Sequence, residues 1–171
     1  VIRTIDAGMT DARGRSVTLR GVSDENWRDI ADVVPKDDQR DWVATSGARY
    51  LLLSEREGVW TSLGVYSDEL VVGHIMWAYD EDDDRNWIGG MLIEAQDQGT
   101  GIGRAALLTL VDYLRELPEP KGIRLSVHQD NLPARRLYAS VGFVELEIDE
   151  DGDLTAELAD PDAEIPENAE V

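Results

Sequence analysis

Six residues, Gln98-Gly99-Thr100-Gly101-Ile102-Gly103, have the composition and setting of an anion cradle. They lie between an apolar strand-like run, Trp87 to Ile93, and a helix-like run, Ile102 to Leu117. A helix that opens directly after a tight glycine turn presents its unpaired first N–H groups and the positive end of its dipole at that turn. Phosphate oxygens are attracted there, and glycines let the anion reach the backbone without meeting a Cβ. A diphosphate suits such a cradle. Spacing separates the familiar loops: no Gly-Lys pair exists for a G-x-x-x-x-G-K-[ST] loop, and Arg104 stands where a dinucleotide fingerprint needs its third glycine. A plain glycine-rich turn at a helix start is the bland alternative.

Downstream, Asn131 to Phe143 carries the pattern N-x-x-A-x-x-L-Y-x-x-x-G-F. Asn131 suits a helix cap, Pro133 a first turn, and Gly142 the left-handed residue after a last turn. Tyr138, inside that helix, bears a phenol with a reference pKa near 10. A thiol lies near 8.5, so handing the phenol proton to a departing thiolate is uphill by only about 2 kcal/mol. A tyrosine packed on a helix face, its hydroxyl satisfied, is the bland alternative.

The loop Q-x-x-G-x-G, with the strand before it and Arg104 after it, resembles the acetyl-CoA loop of the GNAT superfamily of N-acetyltransferases. The Asn131–Phe143 pattern, about thirty residues further on, is similar to the second signature of that superfamily. The resemblance implies an α/β (α+β) fold: a mixed central sheet of about six to seven strands, flanked by helices, with a splayed parallel strand pair. It implies acetyl-CoA as cosubstrate and no metal. Gln98, Gly99, Thr100, Gly101, Ile102, Gly103 and Arg104 would hold the diphosphate, and the backbone of Met91, Leu92 and Ile93 the pantetheine arm. Tyr138 would stand beside the sulfur as proton donor, with Asn131 orienting the loop or a water. Glu25-Asn26-Trp27, Asp38-Gln39 and Trp42-Val43 resemble the amino-terminal part of bacterial spermine/spermidine (diamine) acetyltransferases, which implies Glu25, Trp27 and Asp38 at the acceptor. Some polyamine acetyltransferases place a carboxylate on the central strand where this chain has Gly89 and Gly90. The general base therefore stays open, with Glu25, His74 or Glu94 acting through water as alternatives. A polyamine is the first acceptor to consider. Other primary amines (an amino acid, an aminoglycoside, a protein N-terminus) and a sensor that binds acetyl-CoA without turnover are the alternatives.

Composition narrows the partners. Acidic residues number 36 against 16 basic ones, for a net charge of -20, and Lys36 and Lys121 are the only lysines. Nucleic acid and anionic membrane surfaces are poor partners for such a chain. The acids are spread along the whole sequence, which favours a surface suited to high salt over a local basin for a cationic substrate. With no cysteine and only His74 and His128, thiolate chemistry and a cysteine or histidine metal site are not expected. No run of membrane-spanning length occurs and no charged-then-apolar leader opens the sequence, so a soluble, cytoplasmic protein is expected. A homodimer is compatible with this reading.

The elements that must position these residues follow from periodicity. We expect a loosely held arm at 1–15, one domain at 16–158 and an acidic, disordered tail at 159–171. Ser16 to Val22 reads as a strand; a helix then buries Trp27, Ile30, Ala31 and Val34 and stops at Pro35. A short helix from Asp37 or Asp38 through Val43 is expected to bury Trp42 and Val43, and Arg49 to Ser54 fits helix or strand. Trp60 to Tyr66 and Leu70 to Tyr79 form a hairpin, 80–85 a solvated tip, and Asn86 to Ile93 the central strand. Gly89 and Gly90 in mid-strand call for a bulge or a close approach. After the helix, Ile123 to Val127 runs parallel to the central strand, and Phe143 to Ile148 with Leu154 to Leu158 closes the domain.

Overall fold

The computed structural model describes residues 3–160; most of the expected tail, from 161 on, lies outside the described residues. Eight strands form one sheet, one or two more than expected. In chain order they are β1 (Thr4–Ile5), β2 (Val17–Gly21), β3 (Thr61–Ser67), β4 (Leu70–Asp80), β5 (Arg85–Ile93), β6 (Gly122–His128), β7 (Phe143–Ile148) and β8 (Asp153–Leu158). Their spatial order is β1-β2-β3-β4-β5-β6-β8-β7. Every pairing is antiparallel except β5 with β6, which a crossover helix joins.

That crossover is α3 (Ile102–Arg115), whose Leu107, Leu110 and Leu114 are fully buried. Each such side chain contributes about 2 to 3 kcal/mol relative to exposure. Its buried face is wider than a single stripe, because the amino-terminal segment covers it as well. Ile5 and Met9 pack against the core, Arg3 lies over the Tyr113 ring, and Ala12 N–H donates to the Thr100 carbonyl at 2.7 Å. The expectation of a loose arm is thus corrected: residues 4–5 form a strand on β2, and the following turn buttresses the glycine loop. Asp11 organises that turn. Burial alone would raise its pKa, yet hydrogen bonds from the Arg15 backbone and guanidinium, and from Arg13 N–H, outweigh burial and hold it below the ordinary value.

The opposite face of the sheet carries α1 (Trp27–Ala31) and α2 (Gly47–Glu57), joined through a 3-10 turn at Asp37–Gln39. Alternation along β3 shows the two layers: Leu63 and Val65 belong to the core beneath α3, whereas the next-door Ser62 meets Ser54 of α2. The segment left undecided between helix and strand is α2. The helix expected to run to Val34 ends at Ala31, with Ile30 and Val33 buried but Trp27 and Val34 exposed. Trp42 is likewise 37% exposed, because only Asp37–Gln39 is helical and the chain then leaves the sheet as a loop. The last helix, α4 (Leu132–Val141), has Asn131 as its cap, accepting the Ala134 N–H, and ends at Gly142 with φ 110°. No helix among the described residues is long and apolar enough to cross a membrane.

One buried polar group stands out in the α2 layer. His74 of β4 has no exposed surface, and burial lowers its pKa to about 4. A histidine in the unfolded chain titrates near 6.5, so between these values the unfolded state binds more protons and stability falls as pH falls. From pH 7.5 to 4.5 this residue should account for about 2.5 kcal/mol of the loss. Denaturant unfolding at both pH values should show that difference shrinking by roughly that amount in His74→Phe; an unchanged difference would contradict a neutral buried imidazole.

Candidate acetyl-transfer site

The site begins where the parallel pair comes apart. β5 and β6 are in register only from Arg85↔Gly122 to Ile88↔Leu125, although both strands continue beyond. Gly90 sits at φ 55°, a conformation costly for any residue with a Cβ, and the register with β4 slips there, Met76 facing Gly89 but His74 facing Leu92. The inserted residue bends β5 away from β6. At the closed end, Arg85 and Arg124 both donate to Glu157 of β8, and Arg124 also meets Asp83 at 3.3 Å. Burial would raise the Glu157 carboxyl, but these two guanidiniums bring it below its ordinary value. The expected solvated tip at 80–85 therefore also clamps the strand pair, through Asp83 to Arg124 and Trp87 Nε1 and through Asp84 to Lys121.

At the open end lies a cleft of about 380 Å3. Its walls bring together most of the residues expected from sequence. Met91, Leu92 and Ile93 line one side; Gln98, Gly99, Gly101, Ile102, Gly103 and Arg104 close one end; Asn131 and Tyr138 of the α4 segment face them. Thr100 stands apart: its hydroxyl donates to the Asp97 carbonyl at 2.6 Å and it braces the loop from outside the cleft. Gly101 has φ 84° and no side-chain cap serves α3, whose first backbone bond runs from Ala105 N–H to the Gly101 carbonyl. The amides ahead of Ala105 therefore have no partner within the helix and are placed for an anion. These features fit the diphosphate and pantetheine of coenzyme A.

Tyr138 lines the cleft and packs edge-on against Phe143 at 6.1 Å. Burial, with a smaller effect from Tyr50, pushes its phenol up to about 12. It is thus a firmer proton holder than a free phenol, protonated throughout the working range, and handing its proton to a thiolate of ordinary pKa is uphill by about 5 kcal/mol where a free phenol would need about 2.

The three acceptor residues expected from sequence are not in the cleft. Glu25 and Asp38 are exposed on turns, and Trp27, 41% exposed, stacks with the Arg28 guanidinium and lines a separate groove between α1, α2 and β3. Asn26, between Glu25 and Trp27, is the structural member of that motif: it accepts the Ser23 N–H and donates to the Gly21 carbonyl and the Tyr66 hydroxyl. Their immediate neighbours reach the cleft instead. Gln39 and Val43 line it, and the Gln39 and Gln98 side-chain amides exchange hydrogen bonds at 2.7 and 2.6 Å, tying the Asp37–Gln39 turn to the glycine loop. Gln39 and Val43 belong to the Asp38-Gln39 and Trp42-Val43 pairs singled out in the sequence, and it is Gln39 rather than the expected Asp38 that lines the cleft. Of the open base candidates, Glu94 accepts the Val34 N–H, His74 is held neutral, and Glu25 lies outside the cleft.

Residues 19–143 match the model of the acetyltransferase (GNAT) family. The chain belongs to that family, whose chemistry is acetyl transfer from acetyl-CoA to an amine. Among curated proteins it is similar to the spermine/spermidine N(1)-acetyltransferase of Bacillus subtilis (strain 168), 30% identical over 135 residues, covering 75% of this chain and 88% of that one. Among solved structures, the GNAT domain of S. lividans PAT superposes with a TM-score of 0.70 at 13% identity, covering 90% of this chain and 96% of that one. The PaiA N-acetyltransferase from Thermoplasma acidophilum, in complex with coenzyme A, gives 0.63 at 18% identity, covering 84% and 98%. Both structural likenesses are of fold.

The raised phenol sets a test. The basic limb of kcat should lie near pH 12, not near the 10 of a free phenol, and Tyr138→Phe should lower kcat at least about tenfold with little change in acetyl-CoA affinity. A fall centred on pH 10 would contradict the raised phenol, and unchanged turnover in the variant would remove Tyr138 from the proton path.

Proposed function

We propose that this protein transfers the acetyl group of acetyl-CoA to a primary amine, with a polyamine such as spermidine or spermine as the preferred acceptor. The observation that carries the reading is the meeting, in one cleft, of the glycine loop, the splayed edge of β5 and Tyr138. Acetyl-CoA supplies the acyl group and a thiol leaving group. The amides at the start of α3 hold the diphosphate, with Arg104 beside them, and the backbone of Met91 to Ile93 hydrogen-bonds the pantetheine arm as a neighbouring strand would. Asn131 fixes the start of α4, so that Tyr138 is carried at a set depth opposite β5. As the amine nitrogen bonds to the acyl carbon and the carbon–sulfur bond breaks, the Tyr138 proton passes to sulfur and the nitrogen gives up its proton to water. No carboxylate of the described residues lining the cleft, other than Asp97 beside the loop, is placed to take it directly.

The polyamine preference is supported by the Bacillus relatives, whose names specify spermine and spermidine. A second reading, an amine that also carries a carboxylate, is favoured by one feature. A groove that shares Val43 with the cleft is lined by Arg40, Arg49 and Arg56 with Trp42 and Tyr50. Thiol release from acetyl-CoA with spermidine, with lysine and with no amine separates these. We expect spermidine to give the highest kcat/KM. A preference for lysine would establish the second reading, and no rate above background with any amine would leave binding without turnover.

A further inference from the structure

His74 takes no part in the chemistry above, yet its imidazole links β5, β3 and α2. Its Nδ1 lies 2.7 Å from the carbonyl of Gly90, the bulged residue of β5. A carbonyl only accepts, so Nδ1 carries the hydrogen and Nε2 is left as an acceptor. Nε2 takes the Ser62 hydroxyl of β3 at 2.9 Å, and Ser62 in turn is 2.6 Å from the Ser54 hydroxyl of α2. The face of the imidazole stacks on Tyr50 of α2, with ring centroids 5.3 Å apart and planes 7° from parallel. The Tyr50 hydroxyl accepts the Ala44 N–H at 3.1 Å, which fixes the loop carrying Val43, a cleft residue.

We propose that His74 is a positioning residue: it holds the Gly90 carbonyl so that β5 stays splayed, and it sets that strand against the loop that forms the acceptor side of the cleft. The geometry explains why an imidazole is needed. The bulge turns the Gly90 carbonyl into the sheet's α2 face, where a Cβ on residue 90 would crowd the Met76 side chain at 3.0 Å, and a partner must reach it from β4. Phenylalanine would fill the space and keep the stack on Tyr50 but offer no hydrogen. Without the donor the carbonyl is unpaired in a dry site, and relieving that cost requires the bulge at Gly90 to shift, which moves the backbone groups of Met91, Leu92 and Ile93 out of their places along the cleft. The glycine loop has anchors apart from this link, since the Ala12 N–H holds the Thr100 carbonyl and the Thr100 hydroxyl holds the Asp97 carbonyl.

The proposal rests on the reading that the cleft binds coenzyme A, and the experiment separates the two. Calorimetric titration of the full chain with coenzyme A and with its nucleotide half, 3′-phospho-ADP, probes the β5 edge and the glycine loop independently. In His74→Phe, coenzyme A should bind about tenfold more weakly while 3′-phospho-ADP binds as before. His74→Asn, which keeps an N–H at the Nδ1 position, should restore most of the affinity. Should His74→Phe not fold, Ser62→Ala carries the same comparison with a smaller loss, about threefold for coenzyme A alone. Equal losses for the two ligands, or none, would overturn the positioning role and leave the coenzyme A reading intact. A wild-type chain that binds neither ligand would overturn both.

Discussion

The parallel contact between β5 and β6 lasts four residues and then stops, and the rest of the site depends on that interruption. Two neighbouring strands that stayed paired would satisfy each other's backbone groups and leave nothing for a ligand. Here one end is bolted shut by Arg85, Arg124, Glu157 and Asp83, while at the other an extra residue with a left-handed backbone forces the strands apart. The exposed edge is a row of amide donors and acceptors, the natural complement of an arm that is itself built from amides. Because strand edges carry no side-chain code, the same opening serves whatever amine arrives on the far side.

Charge is arranged in keeping with this division. The acid excess is carried by exposed residues along the chain, and several of the arginines are spent on ion pairs that fasten one element to another: Arg15 to Asp11, Arg20 to Glu69, Arg135 to Glu145. The proposed anion cradle would rely on backbone amides at the start of α3, with Arg104 beside it. A site made of oriented dipoles keeps its strength where mobile ions screen side-chain charges, because its donors are fixed and close to their guest.

Most of the backbone geometry around the glycine loop and α4 was legible in the sequence because its requirements are local. A glycine loop before a helix, a capped helix with a glycine stop, and glycines in mid-strand each state a backbone conformation in a few adjacent residues. Asn131, Pro133 and Gly142 take the places their chemistry suggests. The cleft wall at Gln39 and Val43 was not legible, since it depends on which turn residues point inward. Asp38 and Gln39 are adjacent, yet only the amide of Gln39 finds a partner, Gln98, nearly sixty positions away. The arm at 3–15 was misjudged for the same reason: its period is weak because its contacts, to Thr100, Asp97 and Tyr113, are tertiary. His74 looked like a packed strand histidine and is one, but the sequence does not say that the carbonyl it packs against belongs to the bulge.

Backbone hydrogen exchange with and without coenzyme A tests the central claim most directly. Amides of Met91 to Ile93 and of Gly101 to Arg104 should slow on adding the ligand, while those of β7 and β8 keep their rates. Unchanged exchange along the open edge of β5, or protection confined to other strands, would show that the gap beside Gly90 is not where the ligand lies.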